Sequence, residues 1–176
     1  MFNEQFRFNK KLTISNALNL EYKDRNIGFA TMAGDSSIFG LRKRHTVENI
    51  FNIKYNFTNK MGLSFRARHY WSKVKYNEFF NLENDGSLKN LTATSSNPNS
   101  NVNYFNIDMV YTWQFSQGSF INLVWKDAAS TFSNNVHDRY FKNFGNTWSE
   151  SQANSFSFRI IYYLDYLTLR RTTPRL

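Results

Sequence analysis

Asn103-Tyr104-Phe105-Asn106-Ile107-Asp108-Met109-Val110-Tyr111-Thr112-Trp113-Gln114-Phe115 is the stretch that decides the fold. Successive side chains of a strand point to opposite faces, so Phe105, Ile107, Met109, Tyr111, Trp113 and Phe115 share one face. Tyr104, Asn106, Asp108, Thr112 and Gln114 share the other. One face suits lipid and the other water, which is how a strand of a transmembrane β-barrel is written.

Working outward, the same two-sided pattern recurs. A strand over residues 4–9 turns at Lys10-Lys11 into Leu12, Ile14, Leu18 and Leu20, which alternate with Thr13, Ser15, Ala17, Asn19 and Glu21. A glycine-bearing connection over residues 23–40 leads to Val47, Phe51, Ile53, Tyr55 and Phe57, set against Glu48, Asn52, Lys54 and Asn56. The short turn Thr58-Asn59-Lys60 opens a strand with Met61, Leu63, Phe65, Ala67 and Trp71 opposite Ser64, Arg66, Arg68, Tyr70 and Ser72. A polar loop over residues 81–101 precedes the quoted strand. Ser116-Gln117-Gly118 then turns into Ile121, Leu123 and Trp125 against Asn122, Val124 and Lys126. After a second long loop over residues 128–154, Phe156, Phe158, Ile160, Tyr162, Leu164 and Tyr166 oppose Ser155, Ser157, Arg159, Ile161, Tyr163 and Asp165. The expectation is an all-β, antiparallel up-and-down transmembrane barrel segment of about seven strands. Its connections alternate short and long, with short turns on the periplasmic side.

Composition agrees and excludes alternatives. Aromatics make up 18% and charged residues 20% of 176 residues, and the mean hydropathy is −0.58. No stretch approaches the roughly 20 apolar residues that a helical span requires. Without cysteine, disulfides, thiol catalysis and cysteine zinc sites are excluded. His45, His69 and His137 lie in no metal-ligand spacing, and no phosphate loop or serine elbow appears, so neither an enzyme nor a cofactor is expected. The net charge of +9 raises nucleic acid, but the basic residues are dispersed among turns, loops and inward positions. Lipid phosphates and lipopolysaccharide are the better partners for Arg42-Lys43-Arg44 and Arg170-Arg171. An aromatic core for a soluble barrel is the competing account of the alternation. Large rings would crowd a small closed barrel, however, and the opposing face is rich in mixed charge.

The pattern assigns Glu21, Lys54, Arg66, Arg68, Asp108, Lys126, Arg159 and Asp165 to the lumen. It assigns Tyr55, Phe57, Trp71, Trp113, Phe115 and Tyr166 to the membrane-interface girdle.

The runs Tyr111-Thr112-Trp113-Gln114-Phe115-Ser116-Gln117-Gly118-Ser119, Leu123-Val124-Trp125-Lys126 and Phe156-Ser157-Phe158-Arg159-Ile160-Ile161-Tyr162-Tyr163-Leu164-Asp165-Tyr166 resemble a Bacteroidota outer-membrane family, domain-of-unknown-function family 5916. The resemblance covers nearly the whole chain, from Phe6 to Leu169. It implies the carboxy-terminal part of a larger barrel, in proteins whose amino-terminal domain is similar to family-nine carbohydrate-binding modules. It brings no catalytic residues.

The domain expectation is therefore an outer-membrane barrel segment over residues 1–169 with a basic tail over residues 170–176. Met1 to Phe8 lack the marks of a signal peptide, so the chain is expected to be a fragment of a longer precursor. Closure then requires missing amino-terminal strands or other subunits, because an open edge in lipid is costly. The expected role is a pore or transport function, or envelope anchoring, in the bacterial outer membrane. The alternative is a soluble antiparallel barrel that binds a hydrophobic ligand.

Overall fold

The structure, a computed structural model, describes residues 1–92, 94 and 96–164. Eight strands form one antiparallel sheet: β1 (Phe2–Arg7), β2 (Leu12–Ala33), β3 (Ser36–Thr58), β4 (Met61–Leu82), β5 (Leu88–Leu91), β6 (Ser100–Ser116), β7 (Ser119–Ser133) and β8 (Ala153–Ile161). The order β1-β2-β3-β4-β6-β7-β8 is a meander, with β5 paired to β4 off the main path. Among the described residues the sheet is not closed, and β1 and β8 are its edges. Among the described residues one helix, α1 (Tyr140–Trp148), lies between β7 and β8.

Turn chemistry fixes one end of the sheet. Asn9 Oδ1 accepts from the backbone N–H groups of Lys11 and Leu12 at 2.8 Å, closing the β1–β2 turn. Thr58 Oγ1 accepts from Lys60 N–H at 3.1 Å between β3 and β4. Gly118 holds φ at 71° between β6 and β7, a conformation that a side-chain-bearing residue adopts only under strain.

The other end differs from the sequence reading. Residues 23–40 are not a long connection: β2 and β3 run on for 22 and 23 residues and meet at Gly34-Asp35, where Gly34 has φ 60°. A bulge hides the continuation. Between Lys23 and Asn26 the β2 strand carries an extra residue, with Arg25 at φ 52°, so the alternation changes phase by one position. The strict succession of short and long connections therefore fails here. β4 likewise reaches Leu82, and the polar loop after it contains β5, which accounts for eight strands where about seven were expected. Residues 128–154 hold the rest of β7 and all of α1.

Register segregates the two faces as the quoted strand implied. On one face Ser15, Asn52, Arg66, Asp108, Lys126 and Ser155 stand in a single cross-strand row. On the other, Ile14, Ile53, Phe65, Met109, Trp125 and Phe156 form the neighbouring row.

Candidate functional site

The polar face carries Glu21, Lys54, Arg66, Arg68, Asp108, Lys126 and Arg159 together, each reached by the same pairing parity. Asp165 lies outside the described residues. Glu48, opposite Tyr70, gathers two partners: the Arg68 guanidinium donates to its Oε1 at 2.6 Å and Asn19 to its Oε2 at 3.0 Å. Arg68 also lies 5.8 Å from the Tyr70 ring centroid. Asp108 and Lys126 are 3.7 Å apart, and Arg44 meets Glu21 at 3.1 Å. Among the described residues no carboxylate lies within ion-pair distance of Lys54, Arg66 or Arg159. The face is thus a hydrogen-bonded, partly neutralised surface with a cationic excess. Arg66, Arg68, Asp108, Lys126 and Ser155 line a shallow recess of about 480 Å³ on it.

The apolar face gathers most of the expected girdle at the short-turn end. Tyr55 and Phe57 meet edge to face at 4.8 Å, Phe57 and Tyr111 at 6.3 Å, and Trp113 and Phe115 at 6.1 Å. Tyr162 stacks on Phe115 at 6.1 Å. Tyr166 lies outside the described residues.

Trp71 stands elsewhere. It is only 4% exposed, donates from Nε1 to Asn101 Oδ1 at 2.7 Å, and lies beneath α1 against Tyr140. Helix α1 crosses the apolar face over β4, β6 and β7. Its Tyr140 and Phe144 rings meet His69 at 5.0 and 5.3 Å, and Phe144 and Trp148 meet Phe105 at 5.4 and 5.2 Å. Asn143 Oδ1 accepts from Asn101 at 2.7 Å, and the Thr147 hydroxyl lies 3.3 Å from that of Thr131. Arg139 at the N-cap gives the helix no side-chain cap, and no acidic residue occupies its first turn. Packing on the sheet rather than intrinsic helicity holds so short a helix.

Sequence reasoning missed α1. Its signal was present in Tyr140, Phe144 and Trp148, a spacing of four that puts three rings on one helical stripe. Polar residues of the apolar face sit under or beside the helix: His69, Asn101 and Asn103 are buried, and so is Asp127 on β7. Immediately past α1 the face turns charged. Lys73 and Lys75 both donate to Asp138, at 2.9 and 3.2 Å, and these hydrogen bonds hold the Asp138 carboxyl below its usual range.

On its short-turn side the helix leaves an apolar cleft of about 430 Å³ against the sheet, floored by Phe51, Phe65, Ala67 and Ile107 and roofed by Tyr140 and Phe144. His69, at its inner end, is 3% exposed and neither ring nitrogen has a hydrogen-bond partner among the described residues. Among the described residues no group of three or more His, Asp or Glu side chains comes together as a metal site. Among the described residues no helix is long and apolar enough to cross a membrane, which says nothing of strands that cross as a barrel.

Neither the curated proteins nor the solved structures yield a significant match to the chain. A family model described as Domain of unknown function (DUF5916) matches residues 1–173, and the chain belongs to that family.

Proposed function

We propose that the chain is a segment of an outer-membrane β-barrel whose apolar face meets lipid and whose charged face lines the lumen. The observation that carries this reading is the height of the apolar band, which the sheet forms as far as Ala67 and which the exposed rings of α1 continue over His69 and Trp71. Met61 to Trp71 along β4 spans about 33 Å at roughly 3.3 Å per residue. A strand tilt of about 40° reduces this to about 25 Å, the height of the lipid-facing band of such barrels. The band is bounded by the Phe57, Trp113 and Phe115 cluster at one end. At the other end stand the exposed rings of Phe141 and Trp148, followed by Lys73, Lys75 and Asp138. Within it Leu123, Phe156, Phe158 and Ile160 are all exposed, at a cost in water that lipid removes. The open edges at β1 and β8 imply further strands, from the same protein or from other copies, to complete the closure.

In this reading the 22-residue strands project well beyond the bilayer on the α1 side, since about 70 Å of strand exceeds any tilted crossing. Lys54, Arg66, Arg68, Lys126 and Arg159 outnumber Glu21, Glu48 and Asp108 on the lumen face, which favours passage of anionic solutes. Membrane fractionation tests the localisation: the protein should sediment with outer membranes and resist urea extraction. Reversal potentials across a salt gradient in planar bilayers test the role. A barrel that conducts should prefer anions, and a silent one is an anchor.

One observation favours the second reading, a soluble barrel around a hydrophobic ligand: α1 covers part of the apolar face. A folded, detergent-free monomer would establish it.

A further inference from the structure

We propose that the basic collar around α1 binds the phosphate monoester of an outer-leaflet glycolipid of the lipid A type, whose acyl chains lie against the exposed rings of the helix. The site rests on the membrane reading and gives it a partner.

The helix is two-sided beyond what docking on the sheet requires. Residues two apart on a helix stand about 200° apart around its axis, so Lys142 and Asn146 lie nearly opposite Phe144 and Trp148. Phe141, Phe144 and Trp148 border the apolar cleft on the short-turn side. Lys142 and Asn146 are exposed on the other side, with exposed Arg139 at the N-cap. Phe144, Asn143 and Thr147 already hold the helix to the sheet, yet Phe141 is left 83% and Trp148 53% exposed. Aromatic rings toward the apolar band and a basic edge away from it are the marks of a helix that lies in the plane of a membrane interface.

Positive charge gathers at the level that a headgroup occupies above such a helix. Lys73 and Lys75 follow Trp71 on the same face of β4, about 7 and 13 Å further along the strand, and Lys43 stands opposite Lys75. Asp24 pairs with Lys43 at 3.7 Å, and Asp138 with Lys73 and Lys75 at 2.9 and 3.2 Å. Arg139 and Lys142 have no carboxylate within ion-pair distance among the described residues, and Glu150 lies beyond the far end of the helix. A phosphate monoester carries close to two negative charges at neutral pH, where a diester carries one, and its terminal oxygens accept from several donors at once. Arg139 and Lys142 supply those donors together with half-exposed Lys75, whose ammonium has N–H groups beyond those that Asp138 takes. The short turns are periplasmic in the membrane reading, so α1 belongs to the outer leaflet, and a phosphorylated glycolipid is the occupant.

The test uses the full chain refolded into detergent micelles and followed by native mass spectrometry. Hexa-acylated lipid A bisphosphate should form a saturable adduct, preferred several-fold over the same lipid stripped of phosphate and over a diacyl phosphatidylglycerol. Arg139→Gln combined with Lys142→Gln should weaken it about thirtyfold, and Arg139→Lys combined with Lys142→Arg should retain it. Both side chains are exposed, so neither pair of changes bears on folding. Arg66→Gln, on the opposite face of the sheet, should leave the adduct unchanged. Inorganic phosphate should not displace the lipid, because Phe141 and Trp148 hold its acyl chains. Equal binding of the dephosphorylated lipid, an equal loss in Arg66→Gln, or displacement by inorganic phosphate would overturn the site while leaving the membrane reading intact. A chain that forms an adduct with none of these lipids and stays folded without detergent refutes both.

Discussion

The two faces of this sheet are built from the same strands and differ only in residue parity, yet they treat polar groups in opposite ways. On the charged face a carboxylate such as Glu48 finds Arg68 and Asn19 within hydrogen-bond distance, and Lys54, Arg66 and Arg159 stand where no carboxylate of the described residues reaches them. On the apolar face buried polar side chains gather under or beside α1, where Asn101 and Asn143, and Thr131 and Thr147, satisfy one another. Where protein covers that face it tolerates Asn, His and Asp; where nothing covers it, Leu123, Phe156, Phe158 and Ile160 stand bare. On the reading proposed above, these uncovered residues meet hydrocarbon, which accommodates large exposed rings on alternate positions of a strand better than water does.

The comparison breaks most readily at the α1 contact. Phe105 is buried against Phe144 and Trp148, so Phe105→Ala should cost about 3–5 kcal/mol in urea unfolding followed by tryptophan fluorescence. A cost under about 1 kcal/mol would mean that the helix does not dock. The proposed lipid contact comes next. Leu123→Arg should cost about 1–2 kcal/mol in lipid vesicles, because pairing with Tyr111 sets the residue between the Trp113 end of the band and its middle. Val124→Arg, one position along and on the charged face, should cost close to nothing. If the two substitutions cost the same, the faces meet the same solvent.

Smaller effects sharpen the charged face. Glu48→Gln leaves Arg68 without its partner and should cost about 1 kcal/mol, less in high salt. Beyond α1, the Asp138 carboxyl has its pKa lowered on folding by Lys73 and Lys75. Its contribution is therefore complete above the ordinary carboxyl value of 3.8 and is lost as the pH falls through the lower folded value. The Asp138 side chain is 62% exposed, so the effect is about 0.5 kcal/mol or less. Proteolytic protection of the loop before α1 should fall in that acidic window, and Asp138→Asn should remove the pH dependence.

Alternation made the sheet legible from residues alone wherever it ran unbroken. Phe105 to Phe115, Met61 to Trp71 and Ile121 to Trp125 take the faces their spacing assigns. The bulge at Asp24-Arg25 shifted the phase, which made strand look like loop as far as Gly40. Trp71 shows a different limit. Its parity is that of the apolar face, but period-two reasoning cannot reveal that a distant helix covers it. The cleft and His69 were illegible for the same reason: they exist only because α1 folds back from residues 140–148 onto strands far earlier in the chain. Charged residues were easier, since a carboxylate or guanidinium on a strand face declares its solvent by type.

The opposite environments of the two faces are tested most directly by nitroxide scanning of β7, which the absence of cysteine makes simple. Ile121→Cys, Asn122→Cys, Leu123→Cys, Val124→Cys, Trp125→Cys and Lys126→Cys, each spin-labelled in liposomes, should alternate in collision rate. Positions 121, 123 and 125 should favour oxygen dissolved in lipid, and positions 122, 124 and 126 a water-soluble nickel chelate. Uniform accessibility to the nickel chelate at all six positions would contradict a lipid-facing apolar surface.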